Sequence, residues 1–284
     1  MAILIPLHHS SYAYPSTAAA AAADVCFPAS VHLPNVSRYS PRYCQLSDHQ
    51  TPLVSPLPRS RTARTDKSSL NVSESCSEVE LWAAANLRVR TFYEFNEQTF
   101  GIEDHKKYLA DLEFEALKER VAGKKTGFRK VSCINATLPI SLVSNISHDL
   151  CTSCKFSLNE EDRVVVGTLD LNQCVSLPHE LVGMKPKTIG ADFARAYLSN
   201  VCVADEFQRN GFGYELMAKA KNVAETWGIS DLYVHVAVDN EAAKNLYMKS
   251  GFSFESDEPA WQARFLDRPR RLLLWTALPV TYEL

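Results

Sequence analysis

Glycine is scarce in this chain, at 10 of 284 residues. No apolar run approaches the roughly 20 residues that a membrane-spanning helix needs. Neither sign of charge dominates: 30 basic against 33 acidic residues leave a net charge of -3, too even to mark a nucleic-acid-binding surface. The eight cysteines lack the spacing of a metal framework. Only Cys151 and Cys154 form a CxxC pair, and no second pair or suitably spaced histidine completes a zinc pattern; His148, just upstream, adds too little. Neighbouring structural thiols at a strand are the plain reading of the pair, and a redox switch is the alternative. With 46% hydrophobic and 22% charged residues, the composition is globular. The length suits one substantial core plus a tail, or two small domains.

Acids are almost missing from the front of the chain. Residues 1–65 hold five arginines, no lysine, and only Asp24 and Asp48 as acids, while thirteen positions are Ser or Thr and eight are Pro. That segment carries +3, so the remaining 219 residues carry -6. A basic, hydroxyl-rich, acid-poor front has the composition of an organelle-targeting peptide. Its prolines, and the want of an amphipathic arginine helix, favour a chloroplast address, with the stroma as destination, over a mitochondrion. A disordered regulatory tail is the competing reading. Ala18–Ala23 lacks the preceding basic region of a secretory signal. The import machinery is then a partner, and cleavage is expected between Arg59 and Glu78. The ordered domain is expected over 78–284.

Within that domain, Leu81 to Phe95 reads as a short strand running into a helix. Residues 103–122 carry one apolar helical stripe, stopped by Gly123 and Gly127. Cys133 to Ile140 reads as a less regular linker or substrate-side loop. Leu150–Leu158 and Arg163–Leu171 are strand candidates around the polar turn Asn159–Asp162. Ala196–Val203 is a further strand, and Phe207 to Trp227 a helix. Leu232–Val238 reads as a strand, and Asp239–Ser250 as a short helix ending at Gly251. Phe252–Phe254 and Leu272–Trp275 are the last strand candidates. The order is that of a mixed α/β core without an internal repeat.

Gln208 to Gly213 read QRNGFG directly after a strand. Glycines at 211 and 213 permit backbone to approach a ligand, and the free N–H groups of a helix start can receive pyrophosphate oxygens. The pattern is neither a Rossmann fingerprint nor a P-loop. Two glycines alone would equally suit a structural turn. A second motif follows 27 residues beyond Gly213: residues 240–252 read NEAAKNLYMKSGF.

Together the two motifs resemble the GCN5-related N-acetyltransferase superfamily. Gln208, Gly211 and Gly213 match its first motif; Asn240, Ala243, Leu246, Tyr247, Gly251 and Phe252 match its second. The resemblance implies a mixed six- or seven-stranded sheet flanked by helices, whose central parallel strands, here 196–203 and 231–238, splay apart around acetyl-CoA. It further implies that the backbone of Val201, Cys202 and Val203 meets the pantetheine arm. An N–H near Val201 would then polarise the thioester. Arg209, Asn210, Gly211, Phe212, Gly213 and Tyr214 are expected to enclose the pyrophosphate, and Asn240, Glu241 and Ala242 to border the pantetheine. Tyr247 matches the general acid that protonates the leaving thiolate. The long connection 172–195 is expected on the substrate side.

Tyr197 and His235 resemble the pair that holds a water for proton removal in protein N-terminal acetyltransferases; lining the cleft is the alternative. Glu206 is a surface acid in competition for the base role, and Cys202 is not required as a nucleophile. The resemblance points to direct acetyl transfer onto protein or peptide amines, at N-terminal α-amines and also at lysine ε-amines. Small-molecule amine acetylation and a noncatalytic acyl-CoA sensor are the alternatives. No metal is expected, and no feature of the sequence sets an oligomeric state.

Overall fold

Serine side chains open two helices of the domain. In this computed structural model, which describes residues 67–279 apart from 76, 97, 125–126, 159 and 175–193, Ser77 accepts a hydrogen bond from the Glu80 N–H at 3.3 Å and opens helix α1 (Glu78–Phe92). The alanine-rich stretch read as a strand is therefore helical throughout. Ala83, Ala84, Ala85 and Leu87 are fully buried on it. Helix α2 (Ile102–Val121) packs beside α1. Ser147 caps α4 (His148–Ser153) in the same way, accepting from the Leu150 N–H at 3.3 Å. That cap turns the first half of the expected strand 150–158 into a helix and leaves only β3 (Lys155–Leu158) extended.

The segment read as a linker is instead the long strand β2 (Phe128–Pro139), followed by the single turn α3 (Ile140–Val143). Every residue from Val131 to Leu138 is buried. A strand covered on both faces loses the alternation by which strands are recognised. Ahead of Glu78, β1 (Asn71–Glu74) adds an edge strand paired antiparallel to β2. The domain thus starts earlier than 78.

The remaining strands are β4 (Glu161–Cys174), β5 (Arg195–Val203), β6 (Asp231–Ala237), β7 (Ser253–Asp257) and β8 (Arg271–Ala277). The sheet order is β1-β2-β4-β5-β6-β8-β7, with β3 also paired to β4. Among the described residues, only β5 and β6 pair in parallel. This is the expected mixed sheet. Helix α1 packs on β3, β4 and β5, and α2 on β2. On the sheet also pack α5 (Phe212–Thr226), which begins five residues later than the sequence suggested, after a 3-10 turn over Asp205–Phe207. The short helices α6 (Glu241–Lys249) and α7 (Ala260–Phe265) complete the domain. Residues 1–65, expected to be a targeting segment, and residues 175–193 of the long connection lie outside the described residues.

Candidate active site

The central parallel strands part at a definite point. β5 and β6 are in register from Arg195/Asp231 to Leu198/Val234, and no further. Beyond that, β5 continues to Val203 and β6 to Ala237, each still paired on its outer side, to β4 and β8. The facing edges of both strands are left with backbone groups that no strand satisfies. β5 also carries a bulge here. Ser199 and Cys202 pair with Asp170 and Thr168, so Asn200 and Val201 together face Leu169. Asn200 takes a left-handed conformation, with φ of 53°.

At the mouth of this fork, the Tyr197 hydroxyl and His235 Nδ1 are 3.0 Å apart. Their residues sit on adjacent strands, two apart from the pair Tyr197↔Tyr233 in register, so both side chains emerge on one face of the sheet. Burial, with Arg271 and Arg268 nearby, lowers the His235 imidazole to about 3. The ring is therefore neutral across the physiological range. It shares a single proton with the phenol, as donor or as acceptor.

The expected pyrophosphate turn has the backbone for its task. Arg209 and Gly211 both have positive φ, 63° and 84°, and Gly211 caps α5 without a side chain. Tyr214 and Glu215 donate the earliest turn bonds to the Gly211 carbonyl, which leaves the preceding N–H groups of the helix start for another acceptor. Gly213 has a different reason to be glycine. A Cβ there would lie 3.0 Å from Leu246 Cδ2, so this glycine lets α5 and α6 close on each other. Phe212 points into the core and stacks on Phe207 with ring centroids 5.8 Å apart. Its contribution to a ligand can only be through the backbone. Asn210 donates to the carbonyls of Phe207 and Gln208, which stiffens the turn. Tyr214 is exposed beside it.

In the second motif, Asn240 caps α6, its Oδ1 accepting from the Ala243 N–H at 3.0 Å. Glu241 pairs with Lys244, and both Glu241 and Ala242 are exposed. Tyr247 is buried, with its ring 5.8 Å from that of Phe252. Burial, and secondarily the Cys202 thiol, raises the pKa of this phenol well above its usual range. Tyr247 thus holds its proton at any working pH. Val201 and Val203 are partly exposed along the free edge of β5, while Cys202 is buried. Burial pushes the Cys202 thiol up to about 12 despite the nearby Arg88, so it is no nucleophile.

Two other candidates have structural duties. Glu206 accepts from both terminal nitrogens of Arg90, at 2.6 and 3.1 Å, and this pairing, against the opposing effect of burial, keeps it a carboxylate. Cys154 of the CxxC pair is fully buried, and burial raises its thiol to about 12; Cys151 is raised for the same reason. Neither thiol has the thiolate character of a reactive site.

Sequence reasoning missed a buried charge cluster behind the bulge. The Asp170 carboxylate accepts from Arg88 at 2.6 and 3.1 Å, from Arg120 at 3.2 Å and from Asn200 Nδ2 at 2.8 Å. Arg88 is 1% exposed and also donates to Glu113 at 3.0 Å. The available signal was Arg88 flanked by Leu87 and Val89 and Asp170 between two leucines. A second missed group, Glu258 with Arg268 and Arg271, supplies the positive charge near His235.

The profile of the acetyltransferase (GNAT) family matches residues 140–252. Among curated proteins, the chain is 66% identical over 216 residues to GCN5-related N-acetyltransferase 7, chloroplastic, of Arabidopsis thaliana, an overlap of 76% of this chain and 79% of the relative. It is 30% identical over 187 residues to GCN5-related N-acetyltransferase 6, chloroplastic, of the same plant, covering 63% of this chain and 60% of that one. Among solved structures, the ribosomal-protein-S18-alanine N-acetyltransferase of Escherichia coli aligns over 75% of this chain and 97% of its own, at 15% identity and a TM-score of 0.41.

Proposed function

The chain belongs to the GCN5-related N-acetyltransferase family, and we propose that it is a chloroplast protein acetyltransferase that uses acetyl-CoA to modify N-terminal α-amines, with lysine ε-amines as a second acceptor class. The observation that carries this reading is the Tyr197–His235 contact of 3.0 Å at the point where β5 and β6 separate. A substrate amine has to lose a proton beside a thioester, and this pair is the proton-handling group at the fork. The chloroplast address rests on the composition of residues 1–65 and on the chloroplastic relatives.

Acetyl-CoA, when bound, supplies the acetyl thioester. The residues present suit it: an uncapped helix start for the diphosphate, a free strand edge for the pantetheine amides, and a bulge at the level of the thioester. The Val201 N–H stabilises the oxyanion as the amine nitrogen bonds to the carbonyl carbon. The Tyr197–His235 pair takes the proton from that nitrogen through a water and passes it toward solvent. Because His235 stays neutral, the pair relays the proton and does not store it. Tyr247 gives its proton to the sulfur as the C–S bond breaks. Its raised pKa suits a donor that recovers the proton readily.

The test is mass spectrometry of a panel incubated with acetyl-CoA: peptides with free or blocked N-termini, lysine peptides, and polyamines. Acetylation of free N-termini at rates above those of polyamines is expected. Turnover of polyamines alone would replace this reading with small-molecule acetylation, and binding without turnover would replace it with an acyl-CoA sensor.

A further inference from the structure

We propose that Asn200 is a positioning residue for acetyl transfer, whose side-chain amide ties the β5 bulge to the buried Asp170 carboxylate and so aims the bulged backbone into the fork. The proposal rests on the acetyl-CoA reading above. Three observations support it. Asn200 occupies the left-handed region, which non-glycine residues enter seldom and which recurs at functional sites. Its amide donates to Asp170 Oδ2 at 2.8 Å. The carboxylate it holds is fully buried and fixed by Arg88 of α1 and Arg120 of α2, so the anchor is set by helices outside the strand.

The bulge changes which residues share a face. Without the extra residue, Tyr197, Ser199 and Val201 would follow one face, and Cys202 the other. With it, Cys202 pairs opposite Thr168, on the face where Arg88 donates to the Thr168 hydroxyl at 3.2 Å. Val201 is thereby displaced from regular pairing, beyond the last β5–β6 pair at Leu198. Asn172 steadies the strand on the near side of the bulge, donating to the Tyr197 carbonyl and the Ser199 hydroxyl, each at 3.0 Å. Asn200 is the matching tie within the bulge itself. An ordinary strand would need no such tie, since ladder hydrogen bonds hold it. A bulge whose backbone must face a ligand has none to spare.

The variant Asn200→Gly keeps the left-handed backbone and deletes the amide. Asn200→Asp keeps the shape and sets a carboxylate against Asp170. Both are compared with wild type for acetyl-CoA Kd by calorimetry, single-turnover transfer to a peptide amine, and the carbonyl stretch of bound acetyl-CoA labelled with ¹³C at the acetyl carbon. A low-frequency shift of that band reports hydrogen bonding to the thioester carbonyl. The expected result for Asn200→Gly is a Kd within about threefold of wild type, transfer slower by about 10- to 100-fold, in line with loss of an aligned oxyanion donor, and a band returned toward that of free acetyl-CoA. Asn200→Asp is expected to show the larger band change. A wild-type rate and band in folded Asn200→Gly would overturn the assignment. So would a loss of thermal stability with the band unmoved in both variants, because that is a purely structural role. If wild type shifted the band yet acetylated no protein amine, the substrate reading would fall and the Asn200 assignment would stand.

Discussion

Removing the His235 ring isolates the proton-handling step. The imidazole is held near 3 by burial and two neighbouring arginines, so it carries no charge from pH 5 upward. Wild-type kcat/KM on an α-amino peptide should then follow the amine alone. With an α-amine reference pKa near 8, about a tenth of the acceptor is neutral at pH 7 and about nine tenths at pH 9. The profile should rise by nearly tenfold over that range and show no limb near 6.5.

His235→Ala deletes the partner of the Tyr197 hydroxyl and should slow single-turnover transfer by about 100-fold at pH 7, the low end of general acid–base contributions. The loss should shrink toward pH 9, where the amine arrives already deprotonated. His235→Gln, which can still bond to the phenol, should recover part of the rate. Tyr197→Phe should slow the same step with acetyl-CoA affinity unchanged. The double mutant should lose less than the product of the single losses, since both residues serve one water. Rapid-quench acetylation across the pH range gives all of these rates. A wild-type limb near 6.5 that vanishes in His235→Gln would refute the neutral relay. Near-wild-type rates in both single mutants at pH 7 would reduce the pair to cleft lining, with the proton lost directly to solvent.

Five other outcomes are expected. Tyr247→Phe should keep acetyl-CoA affinity and lower kcat by roughly 10- to 1000-fold, measured in single turnover. Gly211→Ala should raise the acetyl-CoA Kd by at least about tenfold, or roughly 1.4 kcal/mol, because its φ of 84° strains any Cβ and the turn lines the diphosphate path; Gly213→Ala should instead disturb α6, lowering kcat with less effect on Kd, and Leu246→Val should relieve it, since the new Cβ meets Leu246 at 3.0 Å. Acid should destabilise the fold below about pH 6.5, because the unfolded chain protonates His235 there while the folded chain does so only near 3; the slope from this group is at most about 1.4 kcal/mol per pH unit, and His235→Gln should remove it from denaturant titrations. Residues 1–65 fused to a fluorescent reporter should enter plastids, and N-terminal sequencing of the imported protein should find a start ahead of Asn71, which β1 needs in order to pair with β2.

The two motifs were legible because each has a local cause. Gly211 is required by its φ, Asn240 by its cap on Ala243, and Gly213 by its contact with Leu246. That last contact also explains why the motifs occur together, since the glycine of one meets the leucine of the other. What stayed hidden was non-local or featureless in one dimension. β2 is buried on both faces and shows no alternation. The alanines of Ala83–Ala85 favour a helix, and the Ser77 cap ahead of them is a second local signal that the strand reading passed over. No spacing rule connects Arg88, Arg120, Asp170 and Asn200, which come from four elements.

Those hidden residues bear on how the legible ones work. Tyr197 lies ahead of the bulge and Val201 within it, on one strand, so the proposed proton-handling pair and the proposed thioester donor share a backbone. Asn172 fixes the first part of that strand through the Tyr197 carbonyl, and Asp170 fixes the second through Asn200. Both anchors sit on β4, two residues apart on one face. On the proposed reading, the spacing between amine-side and thioester-side chemistry is therefore set through β4. A substitution at Asn172 should disturb Tyr197 and leave the carbonyl band of bound acetyl-CoA in place, whereas one at Asn200 should move the band and leave the pH profile of transfer in place. Single-turnover rates and isotope-edited spectra of Asn172→Ala and Asn200→Gly give the comparison. If each variant altered both readouts equally, the two anchors would act as one rigid unit, and the division of labour between them would be wrong.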